Sequence, residues 1–231
     1  MPFSSPRAKL ALFALTSGLA AAPALSAPLS LSELSPGDLQ ITEYLANPAI
    51  VSDSANEYFE LFNRRDEAID LDGLVVRDDG SNQFVVTGLV IPARGFRVFS
   101  NGDGSGLGLV PDYQYGGSMA LTNSSDEILL FGPGDVLLQA LSYDDGDAFG
   151  AGVANELLFG DRDSGESFGP QAGSDYQAAV ASLAEGNFGS PGRPGTTVFD
   201  ASVVPLPPAA WLFGAALAAL SALRRRCSLP R

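Results

Sequence analysis

At 231 residues, with 13 Lys and Arg against 27 Asp and Glu, the chain has a formal net charge of −14 and length for one domain with a real core plus flanking segments. It has no histidine and a single cysteine, Cys227, which excludes Ser-His-Asp and Cys-His catalytic pairs, intrachain disulfides and zinc sites of the usual Cys/His kind. Such an acidic surface repels nucleic acid, and anionic polysaccharide unless cations intervene, so no nucleic-acid partner is expected.

The N-terminus reads as a secretory signal helix over residues 1–26. Arg7 and Lys9 form a basic lead, Leu10 to Ala22 an apolar stretch, and Ala24-Leu25-Ser26 before Ala27 places small residues at a cleavage site. Ala22-Pro23-Ala24 is a competing site. Residues 27–36 then form a short linker.

From Asp38 to Tyr143 the sequence predicts about eight short strands punctuated by Gly, Asn and Asp. Leu39, Ile41 and Leu45 alternate with Gln40, Thr42 and Tyr44, the period-2 pattern of a half-buried strand. The run Glu57 to Asn63 has apolar or aromatic residues on both faces and suits a central strand. Further strands are expected at Ile69 to Arg77, Gln83 to Thr87, Phe96 to Ser100, Ser118 to Thr122, Glu127 to Phe131 and Val136 to Tyr143. Pro92-Ala93-Arg94-Gly95 and Gly132-Pro133-Gly134-Asp135 read as turns, since Pro presets φ and Gly accepts positive φ. The expected core is Leu39, Ile41, Phe59, Leu61, Leu71, Val75, Phe84, Val98, Ile128, Leu130 and Leu138.

In order, ITEYLANP, ANEYFELFN, AIDLDGLVVRDD, VIPARGFRVFSN and MALTNSSDEILLFGPGDVLLQALSYDDG resemble the successive strands of the lamin tail domain. That resemblance implies an all-β fold, an immunoglobulin-like antiparallel β-sandwich over residues 37–146, with a binding or adhesion role toward protein or glycan. GNFGSPGRPG, Gly186 to Gly195, is similar to the Pro-Gly-rich terminator found past such domains.

Residues 147–188 read as an acidic Gly-rich extension with one weak helical run, Tyr176 to Leu183. Residues 189–203 read as a Gly/Pro/Thr linker.

The last segment, residues 204–231, combines Val204-Pro205-Leu206-Pro207-Pro208, Trp211, an apolar run over 209–223, and Arg224, Arg225 and Arg226. The 15-residue apolar run spans about 22 Å as a helix, short of a hydrocarbon core of about 30 Å. The arginines hold their end on the cytoplasmic side by the positive-inside rule. This order resembles the PEP-CTERM sorting signal of exopolysaccharide-producing Gram-negative bacteria, with Leu206 in place of the Glu of Pro-Glu-Pro. It implies recognition by an exosortase after passage through the secretion machinery, a transient C-terminal hydrophobic transmembrane helix, and removal of the tail. The expected destination is the outer surface or extracellular matrix, with exopolysaccharide or a surface protein as partner. An ordinary C-terminal anchor is the alternative. The flanking signals hold six of the basic residues and no acid, so residues 27–203 carry 7 basic and 27 acidic residues, net −20.

With His absent, catalysis would need carboxylates. The best polar cluster is Glu43, Asn47, Glu57, Glu60 and Asn63. Strict alternation puts Glu43 on the face of Leu39 and Ile41, where an unpaired carboxylate is costly, so it needs loop N–H groups or an arginine such as Arg64 or Arg65. A glycosidase-like carboxylate pair is the sharper alternative. No cofactor is expected except calcium, for which the oxygen-rich loops offer Asp144, Asp145 and Asp147, then Asp161, Asp163 and Glu166, with Asn101 to Ser105 as a third run. None completes an EF-hand loop. The leading expectation is therefore a non-enzymatic exported module; a carboxylate-dependent hydrolase and a self-assembling matrix component are the alternatives.

If these acidic loops are simply solvated, melting curves in millimolar Ca²⁺ and in NaCl of matched ionic strength will coincide, because screening depends on ionic strength and not on coordination geometry. That is the expected result. A shift seen only with Ca²⁺ and abolished by Asp145→Ala or Asp163→Ala would instead reveal a specific site stabilising the folded state.

Overall fold

In the computed structural model, residues 26–144, 150–157, 171–172 and 176–195 are described. Residues 1–25 of the expected signal helix (1–26) and the sorting segment at 204–231 lie outside them. Among the described residues no helix is long and apolar enough to cross a membrane.

A strand buried along its whole length explains the architecture. In YFELFN every side chain is buried, because this strand is sandwiched on both faces as well as paired on both edges. Strand β1 (Leu39–Leu45) and β2 (Tyr58–Asn63) form the centre of a six-stranded sheet. Its order is β13-β11-β1-β2-β7-β8, with β7 at Phe96–Ser100, β8 at Tyr113–Gln114, β11 at Asn155–Leu157 and β13 at Tyr176–Ala178. A five-stranded sheet, β12-β10-β9-β4-β5, faces it, built from β4 (Val75–Arg77), β5 (Gln83–Val85), β9 (Asp126–Gly132), β10 (Val136–Tyr143) and β12 (Gln171–Ala172). β3 (Ile69–Asp70) and β6 (Val90–Ile91) pair separately. Pairing is antiparallel except at two short edges, where β8 and β12 run parallel to β7 and β10.

The two sheets close on one apolar core. Leu39, Ile41, Phe59 and Leu61 meet Val76, Phe84, Ile128, Leu130 and Leu138, with Phe59 stacked on Phe99 at 5.0 Å between ring centroids. On β9 the inward residues Ile128 and Leu130 alternate with half-buried Glu127, Leu129 and Phe131, as the pleat requires. Tyr44, Tyr143 and Tyr176 pack together at one edge of this core.

Several sequence expectations are corrected. The single strand expected over Ile69 to Arg77 is broken by a turn in which Leu74 N–H donates to Leu71 C=O and Gly73 adopts φ +87°. Only glycine enters that region readily. The turn carries the chain from one sheet to another and resets its parity, so Leu74 and Val76 are buried and the expected core residue Val75 faces outward, half-buried. Val98 is buried, but in a second cluster on the far side of the six-stranded sheet, with Leu45, Tyr58, Leu107, Leu109, Ala154 and Ala179.

Ser118 to Thr122 is not a strand. Residues Gly116–Ser118 form a 3-10 turn, and side chains take the place of a pairing partner beyond it: Leu121 N–H donates to Glu57 Oε1 at 3.1 Å and Thr122 N–H to Asp126 Oδ2 at 2.7 Å. The weak helical run at Tyr176 begins as strand β13, held by pairing with β11 and by the Tyr176 hydroxyl on Ile41 C=O at 2.7 Å. Of the described parts of the expected extension, β11 and β13 complete the six-stranded sheet and β12 edges the five-stranded one. The linker's first residues, 189–195, pack on that sheet as well.

Truncating Phe59 to Ala removes a fully buried ring from between the sheets and should cost about 3 to 5 kcal/mol. Denaturant titration of the pair Phe59→Ala and wild type checks this. A loss below about 1 kcal/mol would place the ring on the surface.

Candidate functional site

The polar cluster expected from sequence divides into four places. Strand β2 is six residues long, so Glu57 before it and Asn63 at its end lie about 20 Å apart. They belong to opposite ends of the sandwich. Asn63 is fully buried and braces a corner, donating to Glu67 C=O at 2.8 Å and Pro92 C=O at 2.9 Å while accepting Arg65 N–H at 2.8 Å. Asn47 lies in the loop after β1, where its backbone carbonyl accepts Gly152 N–H at 2.7 Å. Glu57 caps the other end, where its Oε1 accepts Asn101 Nδ2 at 2.6 Å as well as Leu121 N–H.

Glu43 and Glu60 do meet, and the reason is a β-bulge. The register of β1 on β2 shifts between Ile41 and Glu43. Alternation is thereby reversed: Leu39 and Ile41 point into the core, then Tyr44 and Ala46 do, and Glu43 and Leu45 turn to the outer face. The face assignment of Glu43 from strict alternation is thus corrected. Glu60 is its direct partner on β2 and Glu156 its direct partner on β11, so three carboxylates lie in a row across β2, β1 and β11. All three are at most 1% exposed.

What covers them is the segment 189–195. Ser190 N–H donates to Glu43 at 2.9 Å from Oε1 and 3.1 Å from Oε2, and the Ser190 hydroxyl donates to Oε2 at 3.1 Å. Gly192 N–H donates to Glu60 Oε2, and Thr42 Oγ1 pairs with Glu60 Oε1 at 2.6 Å. The Tyr58 hydroxyl donates to Glu43 Oε1. A Cβ at Gly189 would fall on that hydroxyl and within 2.6 Å of Glu43 Oε1, so only glycine lets the backbone approach this closely. Glu43 is held by loop N–H groups and not by an arginine: Arg65 pairs with Asp38 and Glu67, and Arg64 donates to Gly37 C=O.

Burial dominates the electrostatics. Desolvation, with Glu156 nearby, pushes Glu43 up to about 7 against the pull of its hydrogen bonds. Glu60 is pushed well above the usual carboxylate range by desolvation and by Glu43. Desolvation also raises Glu57 to about 7. At neutral pH Glu43 and Glu60 are therefore substantially protonated, which is how these two acids can be packed together without a cation. Like-charge coupling makes the protons a property of the Glu43–Glu60 pair rather than of one side chain.

This arrangement suits holding a backbone more than attacking a substrate. The carboxylate oxygens of Glu43 and Glu60 that would act as acid or nucleophile accept bonds from Ser190, Gly192, Tyr58 and Thr42 beneath a covering segment. Thr42, Tyr58, Glu156, Gly189, Ser190 and Gly192 were not singled out by sequence reasoning. The glycine-rich composition of GNFGSPGRPG, read from sequence as a terminator and linker, is the one signal that could have marked a close backbone approach.

Of the calcium candidates, Asp144 is exposed at the end of β10, and Asp145, Asp147, Asp161, Asp163 and Glu166 lie outside the described residues. In the run Asn101 to Ser105, Asp103 Oδ1 accepts the Ser105 N–H and hydroxyl at 3.0 and 2.8 Å, a local turn. Among the described residues no group of three acids, His or Cys is placed to hold a metal ion.

Residues 32–145 match the family model for the Lamin Tail Domain, just under half of the chain, and the sandwich is immunoglobulin-like. No curated protein and no solved structure matches the chain.

The raised carboxylates fix the sign of the pH dependence. Protonated Glu43 and Glu57 favour the folded state fully below an unfolded value near 4.5, and that contribution is lost as pH rises through about 7. Unfolding by denaturant should accordingly show lower stability at pH 8.5 than at pH 5.5. Glu57→Gln should shrink the difference, since it removes one titrating group while keeping an acceptor oxygen for Leu121.

Proposed function

We propose that this chain is an exported, non-enzymatic binding or structural module, sorted by an exosortase to the outer surface or extracellular matrix of a Gram-negative bacterium. The observation that carries the non-enzymatic reading is the sealed carboxylate row. Glu43 and Glu60 converge, as a hydrolase would need, but they are buried beneath residues 189–195 and engaged by backbone donors. General acid–base work requires a carboxyl within hydrogen-bond reach of a substrate proton, and with residues 189–195 seated these carboxyls face their own chain instead. The Lamin Tail Domain match agrees with a module that binds or supports.

The sorting part of the proposal is supported by the terminal signals. A basic lead and apolar stretch open the chain, and Val204 to Pro208, Trp211, the 209–223 apolar run and Arg224 to Arg226 close it. An apolar run shorter than the bilayer core, stopped by arginines, suits temporary retention before the tail is removed. The net −20 of residues 27–203 favours solubility outside the cell and contact with acidic exopolysaccharide through bridging cations; a surface protein is the other partner class.

Intact-mass analysis of surface protein should find everything beyond the Val203 to Pro208 region missing in a strain with a working exosortase. Mature protein still carrying Trp211 and Arg226 would refute the sorting reading. Deleting Arg224 to Arg226 should impair retention and processing. The purified protein should also bind on a glycan or protein array without cleaving the ligand it retains.

A further inference from the structure

Residues 189–195 have a bed built for them. The strap is anchored upstream by Asn187, whose side chain accepts Ala49 N–H at 2.7 Å and donates to Ala49 C=O at 3.1 Å, and by Phe188, whose backbone bonds Gly152 and Ala154. Beyond Phe188 the hold changes character. Gly189 N–H still donates to Ala181 C=O at 2.8 Å, but Ser190 and Gly192 donate to the carboxylates of Glu43 and Glu60. At Gly195 a Cβ would lie 3.2 Å from Glu156 Oε2, so the strap's end rests against the third acid of the row.

We infer that residues 189–195 are a proton-linked latch, seated on the outer face of the six-stranded sheet while the Glu43–Glu60 pair is protonated and released when the pair ionises. The titratable groups facing one another there are Glu43 from β1, Tyr58 and Glu60 from β2, and Glu156 from β11. The flanking strands contribute uncharged Val98 on β7 and Gln177 on β13, and the strap's own charged residue, Arg193, is exposed. Among the described residues no arginine is paired to Glu43 or Glu60 to offset a second negative charge. Ionisation therefore sets carboxylates against one another in a dry site, and the direct relief is to admit water by lifting the strap. Raised values for Glu43 and Glu60 in the seated state carry the same sign.

Release alters reach. With the latch seated, only residues 196–203 separate the domain from Val204, at most about 30 Å of extended chain. With it lifted, residues 189–203 do, at most about 50 Å. The latch itself stands on the described residues alone; its effect on access of a sorting enzyme to Val204 rests on the function proposed above.

Amide hydrogen exchange on the purified protein from pH 6 to 9, corrected for intrinsic rates, separates the two. The expected result is loss of protection at Ser190 and Gly192 above pH 7, by up to about tenfold per pH unit for each group that ionises, while Ile128 and Leu130 keep theirs. The double variant Glu43→Gln, Glu60→Gln should keep strap protection constant across this range. Gly189→Ala, which drives a methyl onto Tyr58 and Glu43, should abolish strap protection already at pH 6 and leave Ile128 and Leu130 protected. Strap protection that stays constant with pH in the wild type, or falls equally in the double variant, would overturn the latch. Should the double variant fail to fold, the wild-type series and Gly189→Ala still decide. None of these readouts depends on whether the tail is processed, so failure of the sorting reading leaves them intact.

Discussion

A sheet buried on both faces must place every side chain it carries in a dry environment, and the six-stranded sheet of this protein is buried on both faces at β1 and β2. Its inner face meets the five-stranded sheet across a conventional apolar core. Its outer face is covered by loops, with Leu107 and Leu109 from one side and the 183–195 segment from the other. Three glutamates sit on that covered face. Burying a charge is costly unless it is paired or neutralised, and with no arginine paired to Glu43 or Glu60 among the described residues, protonation and backbone N–H groups supply the compensation. The position of the 189–195 strap follows from that requirement.

The same requirement separates this polar cluster from an active site. Carboxylates gathered in a β-sandwich invite comparison with glycosidases, whose two acids flank a bond in an open cleft. Here the acids are cross-strand neighbours on adjacent strands and face a segment of their own chain. Their raised proton affinity comes from desolvation, as it does in many catalytic acids, but desolvation is equally the consequence of a structural seal. Geometry, not proton affinity, distinguishes the cases.

Elsewhere the fold substitutes side chains for missing ladder partners. Glu57 takes the N–H of Leu121, Asp126 that of Thr122, and Asn63 gathers three backbone groups at one corner. Buried backbone polar groups need partners wherever the ladder stops, and these three side chains supply them at the sandwich's two ends. The polar residues of the EYFELFN stretch thus have structural roles at three separate places.

Local pattern was legible wherever local physics decides. The exclusion of thiol and imidazole chemistry follows from composition, and the bounds of β1, β7 and β10 follow from alternation and flanking turns. The sandwich class followed from that strand rhythm and from the resemblance of its motifs, and most of the core, from Leu39 to Leu138, followed with it. Tertiary structure alone decided three things. A one-residue bulge moved Glu43 to the face opposite the one strict alternation predicts, and a single turn at Gly73 exchanged Val75 for Val76 in the core; period-2 reasoning loses parity at any such slip. Glu156 and Ser190 reached Glu43 from more than a hundred residues away, through strand pairing and through hydrogen bonds that no spacing in the sequence encodes. The glycine- and proline-rich run at 189–195 has the composition of a free linker, and it is ordered here because the carboxylates beneath it need its N–H groups.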